Sequence, residues 1–251
     1  MSPKPPTVPA AAPAPAPPAR PKTFIEELKS WVRSVGIALV CWVVIRSYLI
    51  EAFRIPSSSM ENTLLVGDWL FVNKMIYGGE LEIPLTGIRL LKVKGYAQPH
   101  RDGLIIFRSV EDSTPNLVIV KRVIGEAGDT LQMVHDTVYR NGKVLSEPYA
   151  LHLHPGADAD IYRLQMRRNE LPHYIGKNPE KYNPTSHDWG PVVVPADSFW
   201  VMGDNRDDSY DSRFWGFLPR SHIEGKPELI YFSIGFSPLR LRWNRFFRHP
   251  A

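Results

Sequence analysis

From residue 51 onward the chain is a succession of short runs of β-branched and aromatic residues, cut apart by Gly, Asp, Asn and Pro. DWLFVN, GLIIFRSV, NLVIVKRVIG, GPVVVP, SFWVMG and ELIYFSIGF have the length and composition of strands. The Asn-Gly pair in TVYRNGKVL is the preferred centre of a tight two-residue hairpin. No long amphipathic helical period interrupts these runs, so the expected fold class is mostly β. Residues 131–199 differ: ALHLHPGADADIY and IGKNPEKYNPTSHDWG are polar and proline-rich. They predict a β and loop subdomain inserted into a core built from residues 51–130 and 200–251. With 251 residues and a hydrophobic share of 43%, the chain can bury such a core.

The first 22 residues are Pro/Ala-rich and cannot pack, which predicts a disordered, partly polyproline-like tail. Residues 23–50 hold an uncharged apolar run of twelve, from 34 to 45, bounded by Arg33 and Arg46. Twelve residues suit a core helix better than a bilayer span, but residues 31–50 reach the necessary twenty if both arginines snorkel outward beside Trp31 and Tyr48. No small-x-small cleavage site follows, so the segment predicts a retained transmembrane helix rather than a removable leader. Arg20, Lys22, Lys29 and Arg33 precede the run, against Arg46 and Arg54 after it, which places the N-terminus in the cytoplasm and the rest outside. Cys41 is the single cysteine, so no intrachain disulfide and no cysteine-based metal site can form. The net charge of +4 is modest and its one concentrated stretch, RLRWNRFFRHP near the C-terminus, mixes Arg with aromatics as a phospholipid-facing segment does. No recognition motif or basic stripe accompanies it, which argues against nucleic acid as a partner.

The triplet in RIPSSSM puts Ser57, Ser58 and Ser59 just after the apolar segment. A serine hydroxyl attacks at neutral pH only when a base takes its proton. None of the eight histidines lies in a segment with catalytic-looking neighbours, and His152 with His154 in HLH reads as a polar surface strand rather than a metal site. A lysine serves as base only when burial lowers its pKa, and Lys121 in NLVIVKRVIG is placed for that. Alone, such a lysine fits the solvated face of a strand better than a buried site.

Four motifs in one order decide between these: PSSSM with TLLVGD, RDGLIIF, VIVKRVIGEAGD, and GDNRDDSYDSRFWG. Together with the apolar segment they resemble the type I signal peptidases, membrane-anchored proteases with a Ser-Lys dyad. The resemblance implies a coiled β-sheet catalytic core, an inserted subdomain and one N-terminal transmembrane helix, placed in the bacterial cytoplasmic membrane with the catalytic domain on the extracytoplasmic side. It implies Ser59 as nucleophile, Lys121 as general base, and Ser57 joining the Ser59 backbone N–H in the oxyanion hole, with Ser58 a variable residue between them. Ser209 matches a serine that orients the lysine amine, Asp211 and Arg213 a supporting ion pair, and Asp204 and Arg206 further supports. The implied partners are signal peptides of exported preproteins and the phospholipid bilayer, with no metal or cofactor. Small substrate side chains are expected in shallow pockets lined by Phe53, Ile55, Pro56, Met60 and Leu64, beside a strand that includes Ile119 and Val120. Two positions depart from the family pattern: Asn62 stands where Pro is common, and Asp102-Gly103 replaces Gly-Asp. The non-enzymatic alternative is a membrane-tethered β-domain that only binds, for which Ser59 and Lys121 would be dispensable. A self-cleaving Ser-Lys repressor is the other, and it lacks the DNA-reading N-terminus it would need.

Overall fold

The computed structural model describes residues 23–82, 89–153 and 162–250. The tail expected over residues 1–22 and the second histidine of HLH, His154, lie outside them. Helix α1 (Phe24–Tyr48) opens with a reciprocal cap, in which the Glu26 amide donates to Thr23 Oγ1 at 3.4 Å and the Thr23 amide to Glu26 Oε2 at 2.9 Å. Among the described residues no helix is long and apolar enough to cross a membrane. The span expected over residues 23–50 is thus not shown: Glu26, Glu27 and Lys29 charge the first turns of α1 and Arg46 the last, with twelve uncharged residues between Arg33 and Arg46.

The remainder is mostly β. The strands are β1 (Ile50–Arg54), β2 (Asp68–Asn73), β3 (Glu80–Glu82), β4 (Arg89–Lys92), β5 (Leu104–Arg108), β6 (Val118–Glu126), β7 (Thr130–Val134), β8 (Thr137–Arg140), β9 (Lys143–Val144), β10 (Trp189–Val193), β11 (Ser198–Met202), β12 (Leu218–Pro219), β13 (Ile223–Phe236) and β14 (Leu239–Leu241). Short helices α2 (Arg163–Glu170) and α3 (Ser212–Trp215) complete them. The main sheet runs β1-β2-β13-β5-β6-β11-β12, with β14 on β13. Strand β13, fourteen residues long, pairs with β5 at its start and with β2 further on, and its register shifts between Pro227 and Leu229 and between Ile230 and Phe232. Such bulges bend a strand and increase its twist, which is how one strand serves both halves of a coiled sheet.

A second sheet, β10-β7-β8-β9, is drawn from the polar middle of the chain. Its β8–β9 hairpin turns at Asn141 and Gly142, both at positive φ (55° and 76°), as the Asn-Gly pair requires. Residues 42–251, core and insertion together, cluster as one compact unit.

Strand β5 explains how the core is divided. Leu104 and Ile106 point into a cluster with Ile55, Met60, Leu64, Leu70, Val72 and Ile230, while Ile105 and Phe107 point into another with Val123, Phe199, Val201 and Ile223. A strand buried on both faces reads as an unbroken apolar run, as LIIF does. The C-terminal basic segment is partly turned inward. Arg245 pairs with the buried carboxylate of Asp68 at 2.6 Å, and Arg242 donates to the carbonyls of Val66 and Ile234 at 2.5 and 2.7 Å. The lipid-facing reading of RLRWNRFFRHP therefore fits its exposed Leu241, Trp243, Phe247 and Arg248, not all its arginines.

Candidate functional site

Residues 57–63 form a run of turns between β1 and β2, closed by hydrogen bonds from the Glu61 amide to the Ser58 carbonyl (2.8 Å) and the Leu64 amide to the Met60 carbonyl (2.8 Å). Met60, 1% exposed, is driven into the core, so Ser59 is fixed on the rim immediately before it. Ser57 and Ser59 line one cleft of 580 Å³ together with Lys121 and Ser209. Ser58 does not line it, and its hydroxyl donates instead to the carboxylate of Asp208.

Lys121 sits opposite Ile105 in the β5–β6 register and is 2% exposed. Burial strips its ammonium of water and pulls its pKa down to about 8, against an opposing pull from Asp211 and with help from the Arg213 charge. An amine so placed is partly neutral at physiological pH, which an exposed lysine is not. Beside it, Arg213 grips Asp211 through Nε (2.9 Å) and Nη2 (3.0 Å), and the same carboxylate accepts from the Gly203 amide (2.9 Å) and the Ser209 hydroxyl (2.7 Å). Burial pushes the Asp211 pKa up, but Arg213, the Lys121 charge and the Gly203 amide together hold it below the usual carboxylate range. The Ser209 hydroxyl is thus spent as a donor on Asp211, leaving its oxygen lone pairs for a neighbouring N–H.

Asp204 accepts from Arg122 Nε at 2.8 Å and Nη2 at 2.7 Å, and both side chains are buried. The Asn205 amide donates to the Ser59 carbonyl at 3.1 Å, so this loop holds the serine backbone directly. Gly203 allows that approach: a Cβ there would meet Ser209 Oγ at 2.3 Å and the Ser59 carbonyl oxygen at 2.5 Å.

Of the expected pocket residues, Phe53, Ile55, Pro56, Met60, Ile119 and Val120 line the cleft. Leu64 does not: it is 0% exposed in the core beneath, because the Met60-to-Leu64 turn points it inward. Strand β6 meets β5 from Val118 on but pairs with β11 only from Arg122, so among the described residues its edge over 118–121 carries no strand partner. Strand β1 likewise pairs on one side only, with β2.

Other site features had no motif to announce them. Glu147 accepts from both terminal nitrogens of Arg206 (3.0 and 2.6 Å), Leu151 exchanges hydrogen bonds with the Asp204 carbonyl and the Arg206 amide, and the Tyr149 ring lies 3.9 Å from Arg122 Cζ. Residues 147–151 thereby strap the loop that holds Ser59. His187 also lines the cleft, although its segment looks unremarkable in sequence; its Nδ1 is engaged by Asp136 at 2.5 Å. Both departures from the family pattern fall at positive φ, Asn62 at 88° and Asp102 at 64°. Proline, fixed near −65°, cannot occupy the first, and Asn62 uses its side chain to donate to the Tyr149 carbonyl at 3.1 Å.

A hydroxyl on a fixed turn, a buried amine of lowered pKa and an open strand edge along one cleft are the equipment of a serine peptidase that uses an amine base. The chain belongs to the family described as signal peptidase, peptidase S26, whose model matches residues 28–232. It is similar to signal peptidase I of Pseudomonas aeruginosa, 33% identical over 76% of this chain and 68% of that one. It is also similar to signal peptidase I of Aquifex aeolicus (33% identical, 82% of this chain and 85% of that one) and of Leptolyngbya laminosa (32%, 91% and 90%).

Proposed function

We propose that this signal peptidase cuts signal peptides from preproteins with Ser59 as nucleophile and neutral Lys121 as general base. Lys121 takes the Ser59 proton as Oγ attacks the scissile carbonyl, and the resulting ammonium returns that proton to the leaving amine. The same amine, neutral again, activates the water that releases the acyl group from Ser59. The Ser57 hydroxyl and the Ser59 amide stabilise the oxyanion. Ser209 orients the lysine amine, and the Asp211–Arg213 and Asp204–Arg122 pairs hold the surrounding loop. An extended substrate adds as a strand along the open edge of β6, with small side chains set against Phe53, Ile55, Pro56, Met60, Ile119 and Val120.

The observation that carries this reading is the convergence of Ser57, Ser59 and a 2%-exposed Lys121 on one cleft beside an unpartnered strand edge. Cleavage of a preprotein by the purified full chain in detergent, lost on Ser59→Ala, tests it. A Ser59→Ala chain that cuts at the wild-type rate would favour another nucleophile.

Attachment to the bacterial cytoplasmic membrane, with the catalytic domain on its extracytoplasmic side, belongs to the same proposal. It is supported by the apolar exposure of α1, where Trp31, Val35 and Val40 are 71, 60 and 62% exposed, and by the exposed Leu239, Trp243 and Phe247 of the C-terminal end. A single crossing by α1 would need Arg33 and Arg46 to snorkel to opposite interfaces. Enzyme and substrate held on one bilayer would meet at raised effective concentration.

A further inference from the structure

The cleft extends beyond what two small side chains would occupy. Past Val118 it continues to Leu117, 51% exposed, and its facing wall there is aromatic: Tyr162, Tyr210 and Phe214. The three rings pack on one another, with centroids 5.7 Å apart for Tyr162–Tyr210, 5.2 Å for Tyr162–Phe214 and 5.3 Å for the stacked Tyr210–Phe214 pair. The Tyr210 hydroxyl accepts from the Gln165 amide at 2.8 Å and donates to Glu111 at 2.8 Å. Held from two sides, the ring is a preformed surface.

The Glu111 contact also tells which end of the strand edge this wall faces. The Ser109 amide donates to the Leu117 carbonyl (2.8 Å), and the Glu111 amide donates to Ser109 Oγ (3.1 Å). Glu111 therefore belongs to the Leu117 end, away from Lys121. A strand advances about 3.3 Å per residue, so the four steps from Lys121 to Leu117 cover roughly 13 Å. A substrate strand with its scissile bond at Ser59 brings residues about five or six positions from the cut to this wall. In a signal peptide those positions hold the end of the apolar segment, which precedes the small-x-small cleavage site. Aromatic rings and a leucine suit that segment and not a polar mature sequence.

We propose that Leu117, Tyr162, Tyr210 and Phe214 form a subsite for the last apolar side chains of the signal peptide, five to six residues before the cut. The proposal rests on the signal-peptidase reading of the cleft and adds a second point of recognition to it, one that registers where the apolar segment ends.

The test uses the full chain in detergent and synthetic peptides identical except for Leu or Ser at the fifth and sixth positions before the cut. The readout is the ratio of kcat/KM for the Leu peptide to that for the Ser peptide, which partial loss of folded protein does not alter. The wild-type ratio should be about 10- to 100-fold, expressed mainly in KM. Tyr210→Ala, and separately Leu117→Ser at its exposed position, should each bring the ratio down to a few-fold. A wild-type ratio near one, or a ratio unchanged in both variants, would overturn the subsite. So would a preference that follows the fifth and sixth residues after the cut. Failure of the wild-type chain to cut any of the peptides, or a full-length preprotein, would instead overturn the peptidase reading itself.

Discussion

Replacing Lys121 by Met should abolish activity and make the protein more stable. Met keeps an unbranched apolar stem and removes an ammonium that burial disfavours. The Lys121 pKa is lowered from 10.5 to about 8, and at about 1.4 kcal/mol per pH unit that shift corresponds to roughly 3 kcal/mol against the protonated form. Between pH 8 and 10.5 the unfolded chain holds one proton more than the folded chain at this residue, so stability rises with pH across that window. Below pH 8 both states are protonated, and the full cost is present. Lys121→Met should therefore exceed the wild type by roughly 1 to 3 kcal/mol at pH 7, the lower figure allowing for imperfect packing of the thioether. At about 2 to 4 °C per kcal/mol, this corresponds to a Tm raised by several degrees. The gap should close as pH approaches 10.5. Urea or thermal unfolding of both proteins in the same detergent at pH 7 and pH 10 measures it. A variant no more stable than the wild type at pH 7, or a gap that does not narrow with pH, would refute the claim that the buried amine is held at a cost.

Ser57→Ala should lower turnover by about 100- to 1,000-fold with little change in substrate affinity, since an oxyanion donor acts mainly in the transition state. Ser58→Ala should stay within a few-fold of wild type, since Ser58 does not line the cleft and its hydroxyl is engaged by Asp208; single-turnover cleavage of one preprotein by both variants gives the comparison. Asn62→Pro, which restores the residue common in the family, should be destabilising, because φ is 88° at this position and the bond to the Tyr149 carbonyl is lost. Equal or higher Tm for Asn62→Pro would show that the turn after Ser59 adopts another conformation.

What the sequence disclosed and what it withheld divide along local and long-range lines. Strand positions and the Asn141-Gly142 hairpin were legible because period-two patterning and turn chemistry act over a few residues. The side of the sheet that Lys121 occupies was not. An isolated lysine in NLVIVKRVIG fits the solvated face better, and only the set of motifs pointed the other way; its burial is settled by contacts distant in sequence, with β6 pairing β5 opposite Ile105. Leu64, expected in the substrate pocket, lies in the core, where the turn at Met60 sends it. Asn62 and Asp102 could be named as departures, but their left-handed φ values were invisible, since Asn and Asp adopt that region only some of the time. Glu147 and Tyr149 carry no motif at all. They matter through Arg206 and Arg122, dozens of residues away, and sequence spacing gives no clue to such contacts.

The central claim is that Ser59 is activated by a neutral Lys121, and the pH dependence of acylation tests it most directly. Wild-type kcat/KM for a single preprotein should climb about tenfold per unit below the lysine pKa and level off near pH 8, and Lys121→Arg should show no rate at any pH because guanidinium stays protonated. A profile that instead breaks near 6.5, the ordinary histidine value, and is abolished by His187→Ala while Lys121→Arg still cleaves, would contradict it.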